Sequence, residues 1–258
     1  MNIFDHRRIA EGYANDRPSY HCTIMEKVRK ELRMLKNFEY GLDVGCGSGS
    51  STSALRDICN NVIGIEASTE MLRVAKLEHV QEDISFMKCK AEQVFFRDDL
   101  FDIVTASGSI NWIDPYTFLP LMKKQIKRDG WLVIYDHYFT GRLADSESFS
   151  EWYNGKYLMR FPKPPRNEQP WDDGLIRPYG FCGLKQEEYS HSVIMNRQEF
   201  IAFIVTQSNV ISAVEQSGVP LQEVRDWLNE ELVPVFGSER RKLIFGGYIW
   251  YIKNMRAE

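Results

Sequence analysis

The chain alternates short apolar runs with helix-like stripes from residue 23 to residue 138. Five runs have the length of buried strands: 42–44, 62–65, 84–89 (ISFMKC), 101–107 (FDIVTAS) and 131–138 (WLVIYDHY). Between them, apolar residues recur at the three- and four-residue spacing of amphipathic helices. Because strands that alternate with helices require crossover connections, this pattern predicts a parallel sheet with helices on both faces.

Local end signals indicate where several of these helices begin and end. Thr23 is placed to cap a helix over residues 23–35, and Ser68 to cap another with Glu70 in its first turn. The pair Asp114–Pro115 predicts the start of a third helix, and Gly130 predicts its end.

The pattern changes after Tyr138. The stretch 161–174, FPKPPRNEQPWDDG, is rich in proline and charge and predicts an irregular surface loop, either a connection or a lid over a site. The β-branched and aromatic runs 187–196 and 243–254 predict an antiparallel pair at the sheet edge, with helices over 197–206 and 220–232 between them. The predicted fold class is therefore α/β, a Rossmann-like doubly wound sheet of mainly parallel strands with an antiparallel carboxyl-terminal pair.

A glycine turn follows the first strand, in the segment GLDVGCGSGSS at residues 41–51. Glycines at this point allow positive φ and close approach of a ligand to the main chain, and amides of the turn are expected to face that ligand. An acid, Glu66, ends the next strand, where parallel strands present ligand-binding residues. A dinucleotide fingerprint places its third glycine where this chain has Ser50, which argues against a nicotinamide-dependent oxidoreductase.

The segment DVGCGSGSST resembles motif I of the class I S-adenosylmethionine-dependent methyltransferases. Further markers are similar to the trans-aconitate methyltransferase-like (methyltransferase type 11) subgroup: SINWID, RQEFIAFIVTQSNV, and an amino-terminal pattern of Ala10, Tyr13, Arg17, Pro18 and Tyr20. The subgroup usually has histidine where this chain has Asn111. The resemblance implies one methyltransferase domain over residues 1–258, with a cofactor-binding core at 38–140, acceptor-side insertions at 141–236 and the last strand at 237–258.

The resemblance also implies S-adenosylmethionine as cofactor, S-adenosylhomocysteine as product, and a set of residues that bind them. In the family, Asp43 would lie beneath the methionyl portion, Glu66 would bind both ribose hydroxyls, and Glu92 would lie near the adenine amino group. Met71 is either an adenine contact or a core residue. The full set of expected cofactor contacts is Tyr13, Arg17, Asp43, Gly45, Cys46, Gly47, Gly49, Glu66, Ala67, Met71, Ala91, Glu92, Ser107 and Trp112.

Candidate catalytic residues follow the fourth and fifth strands. Asn111 would lie between the cofactor and the acceptor, and His137 is a candidate general base because imidazole accepts a proton near neutral pH. Asp136 and Tyr138 are equally placed alternatives to His137. A carboxylate acceptor would need no base.

The composition of the chain limits the classes of partner that it is expected to bind. With 32 Lys and Arg against 36 Asp and Glu, the net charge of -4 lacks the basic footprint of a nucleic-acid-binding protein. No apolar stretch reaches the roughly twenty residues needed to span a membrane, and five scattered cysteines predict reduced thiols in a cytoplasmic protein without a metal site. We therefore expect methyl transfer to a small molecule, at oxygen or carbon; a protein or RNA methyltransferase, an oxidoreductase and a non-catalytic relative are the alternatives.

Overall fold

The computed structural model describes residues 4–166 and 169–255. Seven strands form one sheet: β1 (Phe38–Val44), β2 (Cys59–Glu66), β3 (Ile84–Lys88), β4 (Phe101–Ser107), β5 (Ile126–Leu143), β6 (Phe181–Met195) and β7 (Arg241–Asn254). The strand order is β3-β2-β1-β4-β5-β7-β6. The first five strands are parallel and the carboxyl-terminal strands are antiparallel, which confirms the predicted fold class.

Eleven helices are found along the described residues: α1 (Arg7–Asn15), α2 (His21–Glu31), α3 (Ser50–Leu55), α4 (Thr69–Glu78), α5 (Pro115–Gln125), α6 (Glu147–Trp152), α7 (Leu158–Arg160), α8 (Asp173–Ile176), α9 (Arg197–Ile204), α10 (Ser208–Glu215) and α11 (Leu221–Phe236). A π-helical turn, Tyr153–Tyr157, joins α6 to α7. No helix along 4–166 and 169–255 is both long and apolar enough to cross a membrane.

The chain divides into two compact units. The first, called the glycine-loop unit, contains the described residues of Ser19–Asp136, Arg166–Glu188 and Tyr248–Glu258. The second, called the aromatic unit, contains those of Met1–Pro18, His137–Pro165 and Tyr189–Gly247. Strands β5, β6 and β7 each contribute residues to both.

The core of the glycine-loop unit explains why its strands read as continuous apolar runs. The last four residues of β1 are all buried, because β1 lies between β2 and β4 and is covered on both faces. The strand order reverses between β1 and β4, so the loops after these strands border the crevice where doubly wound sheets bind ligands.

The core of the aromatic unit is built mainly from rings. Phe139, Phe149, Tyr153 and Phe200 are buried together, and the Phe139 ring meets the Tyr153 ring edge-on at 5.3 Å between centroids. Such edge-to-face pairs are favoured by the ring quadrupole beyond the area they bury. The packing is close enough that Gly141 has no room for a side chain beside the Tyr153 ring.

Several predicted helix ends are confirmed. Ser68 caps α4 by accepting a hydrogen bond from the Met71 amide, and Glu70 lies in the first turn. Asp114 caps α5 with Pro115 at its first position. In both cases a short polar side chain satisfies an amide that the helix start leaves open.

Other predicted boundaries are wrong. Helix α2 begins at His21, so Thr23 lies inside it, and Leu35 is fully exposed beyond its end. Helix α5 ends at Gln125, and Gly130 lies within β5. The proline-rich stretch is irregular over its described residues up to α8, but it is not a simple surface loop because Phe161 and Trp171 are buried; its Asn167 and Glu168 lie outside the described residues.

We predict that Gly141→Ala lowers the free energy of unfolding by about 2 to 5 kcal/mol. Gly141 has φ of +72°, and an added Cβ would lie 2.3 Å from the Tyr153 ring. Gly155→Ala is the matched control: a Cβ there meets nothing within 4 Å, and alanine in a helical segment is expected to add about 0.5 to 1 kcal/mol. Urea unfolding measures both; equal stability of the two variants would contradict the packing described.

Candidate functional site

The glycine turn after β1 adopts the left-handed backbone that its sequence predicts. Gly45 has φ of +68° and Gly47 has φ of +54°. A Cβ on Gly45 would lie 2.6 Å from the Ser109 Cβ, whereas one on Gly47 would meet nothing within 4 Å. Gly45 is therefore required by the neighbouring loop, and Gly47 faces open space where a ligand can approach the main chain.

Gly49 has a different role from the one expected. Its φ is +92°, and a Cβ there would lie 2.6 Å from His79 and 3.0 Å from both Ala75 and Phe86. Gly49 thus faces α4 and β3 inside the protein. The expectation that all three glycines open the turn to a ligand is corrected: this one allows close packing behind the turn.

The backbone amides of the turn are largely used within the protein. The Gly45 and Cys46 amides donate to the Ile65 carbonyl at 2.9 and 3.0 Å, and the Gly49 amide donates to the Cys46 carbonyl at 2.9 Å. The Gly47 amide donates to Glu66 at 3.0 Å. For these four amides the expectation that they point at a ligand is wrong, because strand β2 and the turn itself accept their hydrogen bonds.

Glu66 ends β2 and closes over the turn. Its Oε2 accepts from the Gly47 amide at 3.0 Å, and its Oε1 accepts from the Ser68 amide at 2.8 Å. The side chain is half-buried. Since each carboxylate oxygen can accept more than one hydrogen bond, the group is held in one orientation and can still bind hydroxyl donors.

Asp43 is the buried anchor of the site. Its Oδ2 accepts from the Ser51 hydroxyl at 2.6 Å and the Thr52 hydroxyl at 2.7 Å, and its Oδ1 accepts from the Thr105 hydroxyl at 3.0 Å. Burial raises the pKa of the Asp43 carboxyl, while these three hydrogen bonds favour the charged form. The side chain is 0% exposed, so it acts from beneath the turn and fixes α3 and β4 against β1.

Cys46 and Met71 are also interior residues. Burial raises the pKa of the Cys46 thiol well above its ordinary value. Met71 is 2% exposed, as a core residue would be, and Ala67 beside Glu66 is exposed. Contact of Cys46, Ala67 or Met71 with the cofactor stays a prediction.

The loop after β4 lies directly beside the glycine turn. The Ser109 hydroxyl donates to the Val44 carbonyl at 2.8 Å, and the Ser107 hydroxyl lies 3.3 Å from the Tyr20 hydroxyl. Asn111 is half-buried in a 3₁₀ turn over Ile110–Trp112. Trp112 is 42% exposed. These residues border the crevice at the β1–β4 reversal, and a contact with cofactor or acceptor stays a prediction for each of them.

Ala91 and Glu92 follow β3 in a short 3₁₀ turn, Ala91–Gln93. The Glu92 carboxylate accepts a hydrogen bond from the Asp114 amide at 3.1 Å and so supports the entry into α5. An adenine contact for either residue stays a prediction. Across 4–166 and 169–255, no group of three or more His, Cys, Asp or Glu side chains is arranged to hold a metal ion.

Four of the residues expected at the site belong to the aromatic unit. The Arg17 guanidinium lies 3.6 Å from the centre of the Tyr13 ring and donates to the Thr206 carbonyl at 2.7 Å. The His137 ring stacks on Phe245 at 4.9 Å between centroids. Tyr138 is 50% exposed. The roles expected for these side chains at the cofactor or acceptor stay predictions.

The sequence does not predict a polar cluster between the start of α2 and β5. The His21 Nδ1 lies 3.1 Å from the Tyr135 hydroxyl, and the Tyr20 ring lies against the His21 ring at 4.1 Å between centroids. Neither His21 nor Tyr135 occupies a recognisable motif. The fold alone brings them together, because the first residue of α2 lies beside the middle of β5.

We predict that Asp43→Ala lowers the free energy of unfolding by about 3 kcal/mol or more, since three buried hydroxyls lose their acceptor. Asp43→Asn keeps one acceptor oxygen and should cost less. Urea unfolding of both variants beside the native protein measures the difference. A loss below about 1 kcal/mol for Asp43→Ala would show that these hydrogen bonds do not anchor the site.

Three known proteins and one solved structure to which this chain is similar are named as methyltransferases. Residues 42–134 match the family model described as a methyltransferase domain. The chain is 32% identical over 101 residues to the uncharacterized methyltransferase YcgJ of Bacillus subtilis, covering 38% of this chain and 40% of that protein. It is 25% identical over 160 residues to the probable S-adenosylmethionine-dependent methyltransferase CRG1 of Saccharomyces cerevisiae, covering 57% and 54%. The match thus spans about half the length of these relatives.

A third relative and a solved structure are similar over more of the chain. The malonyl-[acyl-carrier protein] O-methyltransferase of Buchnera aphidicola is 21% identical over 204 residues, covering 74% of this chain and 82% of that protein. A putative type II methyltransferase from Anaeromyxobacter dehalogenans superimposes with a TM-score of 0.71 at 17% identity, covering 93% of this chain and 99% of that one, which shows a shared fold. These findings show that residues 42–134 are similar to a methyltransferase domain and that the chain shares the fold of a solved methyltransferase structure.

Proposed function

We propose that this protein transfers a methyl group from S-adenosylmethionine to a small-molecule acceptor, most readily at oxygen and next at carbon. The Glu66 carboxylate carries the proposal. It is held by two backbone amides at the end of β2, beside the open face of Gly47. A carboxylate in this position fits a ribose, whose two neighbouring hydroxyls can each donate to one oxygen.

The residues present fit a nucleoside that carries no phosphate. When bound, S-adenosylmethionine supplies an electrophilic methyl group on a sulfonium. Gly47 leaves room for the ligand at the main chain, Glu66 binds the sugar, and Asp43 fixes the turn from below. For Arg17, held over Tyr13, we propose a carboxylate as the ligand, because a guanidinium can pair with it bidentately.

The same hydrogen bonds argue against a dinucleotide. A pyrophosphate needs several amide donors that point at it. Here the amides of Gly45, Cys46 and Gly49 already donate to backbone carbonyls, and that of Gly47 donates to a carboxylate that would repel phosphate. An oxidoreductase that uses NAD is therefore disfavoured by the turn itself as well as by its spacing.

The charge of the chain supports a small acceptor, and the name of one relative supports the accepting atom. The net charge of -4 disfavours RNA, though it leaves a protein acceptor as the second candidate. The Buchnera relative is named as an O-methyltransferase, which supports oxygen as the accepting atom. We further propose that the chain works as one methyltransferase domain in the cytoplasm, without binding nucleic acid or membranes.

Two calorimetric titrations test the cofactor assignment. We expect S-adenosylhomocysteine to bind with a micromolar dissociation constant, which corresponds to roughly 8 kcal/mol, and NADH not to bind. Binding of NADH without binding of S-adenosylhomocysteine would contradict the proposal. Methyl transfer from radiolabelled S-adenosylmethionine to a metabolite panel then separates an enzyme from a non-catalytic relative.

We predict that Glu66→Ala weakens S-adenosylhomocysteine binding about 10- to 100-fold, because hydrogen bonds to a charged group contribute about 1.5 to 3 kcal/mol. Glu66→Gln should show an intermediate loss, since it keeps one acceptor oxygen. Glu70→Gln is the matched control. Glu70 pairs with Arg73 at 3.0 Å within α4, so its replacement should leave the affinity for S-adenosylhomocysteine unchanged. A folded Glu66→Ala variant with native affinity would show that the ribose assignment is wrong.

A further inference from the structure

The aromatic unit contains a pocket of about 430 Å³ that is lined by α1, by the residues that follow α9, and by α11. This volume lies in the range of small-molecule sites, roughly 300 to 1,000 Å³. Five of the lining residues are charged: Arg7, Arg8, Glu11, Asp16 and Arg225. The pocket therefore has the size and the polarity of a site for a small charged molecule.

Buried residues form the floor of this pocket. Val205 and Thr206 line it and are each only 3% exposed. The Thr206 hydroxyl donates to the Phe203 carbonyl at 2.7 Å, so this polar group is used inside the protein. A Cβ on Gly12 would lie 3.0 Å from the Thr206 methyl group, which shows that α1 lies close against the floor. The floor thus offers apolar contact, and specific interactions with a ligand have to come from the charged residues.

Three of the five charged residues are neutralised within the protein. The Arg7 Nε donates to the Glu11 Oε1 at 2.7 Å, so these two side chains pair with each other. The Arg8 guanidinium donates to the Glu215 carboxylate at 2.6 Å. Because these charges already have partners of opposite sign, they give the pocket little preference for a ligand of either charge.

The two remaining charges, Asp16 and Arg225, line the same pocket without pairing. Within the part of the chain that the structure describes, neither side chain makes a hydrogen bond or an ion pair. Both residues are half-buried. Burial raises the pKa of the Asp16 carboxyl, and the positive charge of Arg225 offsets this only in part. The Asp16 carboxylate has therefore lost water without gaining a donor.

Fully hydrated surface charges would not behave in this way. A carboxylate and a guanidinium that stay in water need no partner and contribute little to stability. Asp16 has instead given up part of its hydration, which costs free energy unless a hydrogen-bond donor replaces the water. The missing donor for Asp16 and the missing acceptor for Arg225 belong to the same pocket, so one molecule that carries both groups would satisfy both residues.

We propose that this pocket binds an α-amino acid, whose ammonium group donates to Asp16 and whose carboxylate accepts from Arg225. An ammonium group carries three donors, and a guanidinium presents two parallel donors to a carboxylate. A simple anion would pair with Arg225 but would be repelled by Asp16, and a simple cation would meet the reverse. The side chain of the amino acid lies against the apolar floor. Binding at this site does not depend on the proposed methyl transfer.

Calorimetric titration of the whole chain with each common amino acid, without cofactor, tests this site. We expect at least one of them to bind with a dissociation constant of about 1 mM or lower. Its methyl ester lacks the carboxylate and its N-acetyl derivative lacks the ammonium group, so each should bind at least about 10-fold more weakly. Absence of binding by every amino acid at about 10 mM, or equal binding of either derivative, would overturn the proposal.

Substitutions assign the binding to this pocket. Asp16→Asn should weaken binding of the amino acid about 10-fold or more but leave the affinity of the N-acetyl derivative unchanged. Arg225→Gln should likewise spare only the methyl ester. Asp226→Asn is the matched control, since Asp226 is an exposed acid of α11 that accepts from Gln222 at 2.8 Å outside the pocket. Native affinity in both Asp16→Asn and Arg225→Gln would place the amino acid elsewhere and contradict the proposal.

Two controls keep the outcomes separate. Urea unfolding of Asp16→Asn and Arg225→Gln should match that of the native protein, and if either variant is unstable, the titrations of the native chain with the two derivatives decide. Titration of the native protein with S-adenosylhomocysteine is independent of the amino acid. If that product binds and no amino acid does, the methyltransferase proposal stands and this site is rejected; the opposite result rejects the cofactor assignment and supports the site.

Discussion

The buried carboxylate of Asp43 is the constraint on which the rest of the glycine-loop unit depends. One side chain in β1 accepts hydrogen bonds from Ser51 and Thr52 at the start of α3 and from Thr105 in β4. A charge so deeply buried is tolerable only when its oxygens are satisfied, so the three hydroxyls and the carboxylate require one another. The result is that the turn between β1 and α3 has one shape before any ligand arrives.

This preformed turn explains how the site can select a nucleoside without phosphate. Four of its amides donate to Ile65, Cys46 and Glu66, so this part of the turn offers shape and a carboxylate in place of a set of anion-binding donors. In the proposed function, recognition of the sugar depends on Glu66, whose orientation the Gly47 and Ser68 amides fix. A binding group held in advance loses little conformational freedom when the ligand binds.

Much of the fold could be predicted because the signals are local. The strands of the parallel sheet appear as short apolar runs, and the Ser68 and Asp114 caps each depend on residues within one helical turn. Helix α1, helices α6 and α7 and the early start of α2 were not predicted. Helices α1 and α2 begin without a side-chain cap, so no local signal marks their starts, whereas α6 is capped by Ser146 and its signal was overlooked. The turn motif indicates Asp43 and Glu66 as candidates, whereas the His21–Tyr135 pair joins residues 114 positions apart and leaves no pattern in the sequence.

Cys46 places a buried thiol inside the glycine turn. Its thiol lies in the middle of the turn, 4% exposed and with a raised pKa, and only a thiolate reacts readily with alkylating agents. In the closed turn this sulfur is chemically silent, whereas Cys22 on the surface of α2 is accessible. Alkylation of Cys46 therefore requires that this sulfur become exposed, and its rate measures how well the folded turn protects the thiol.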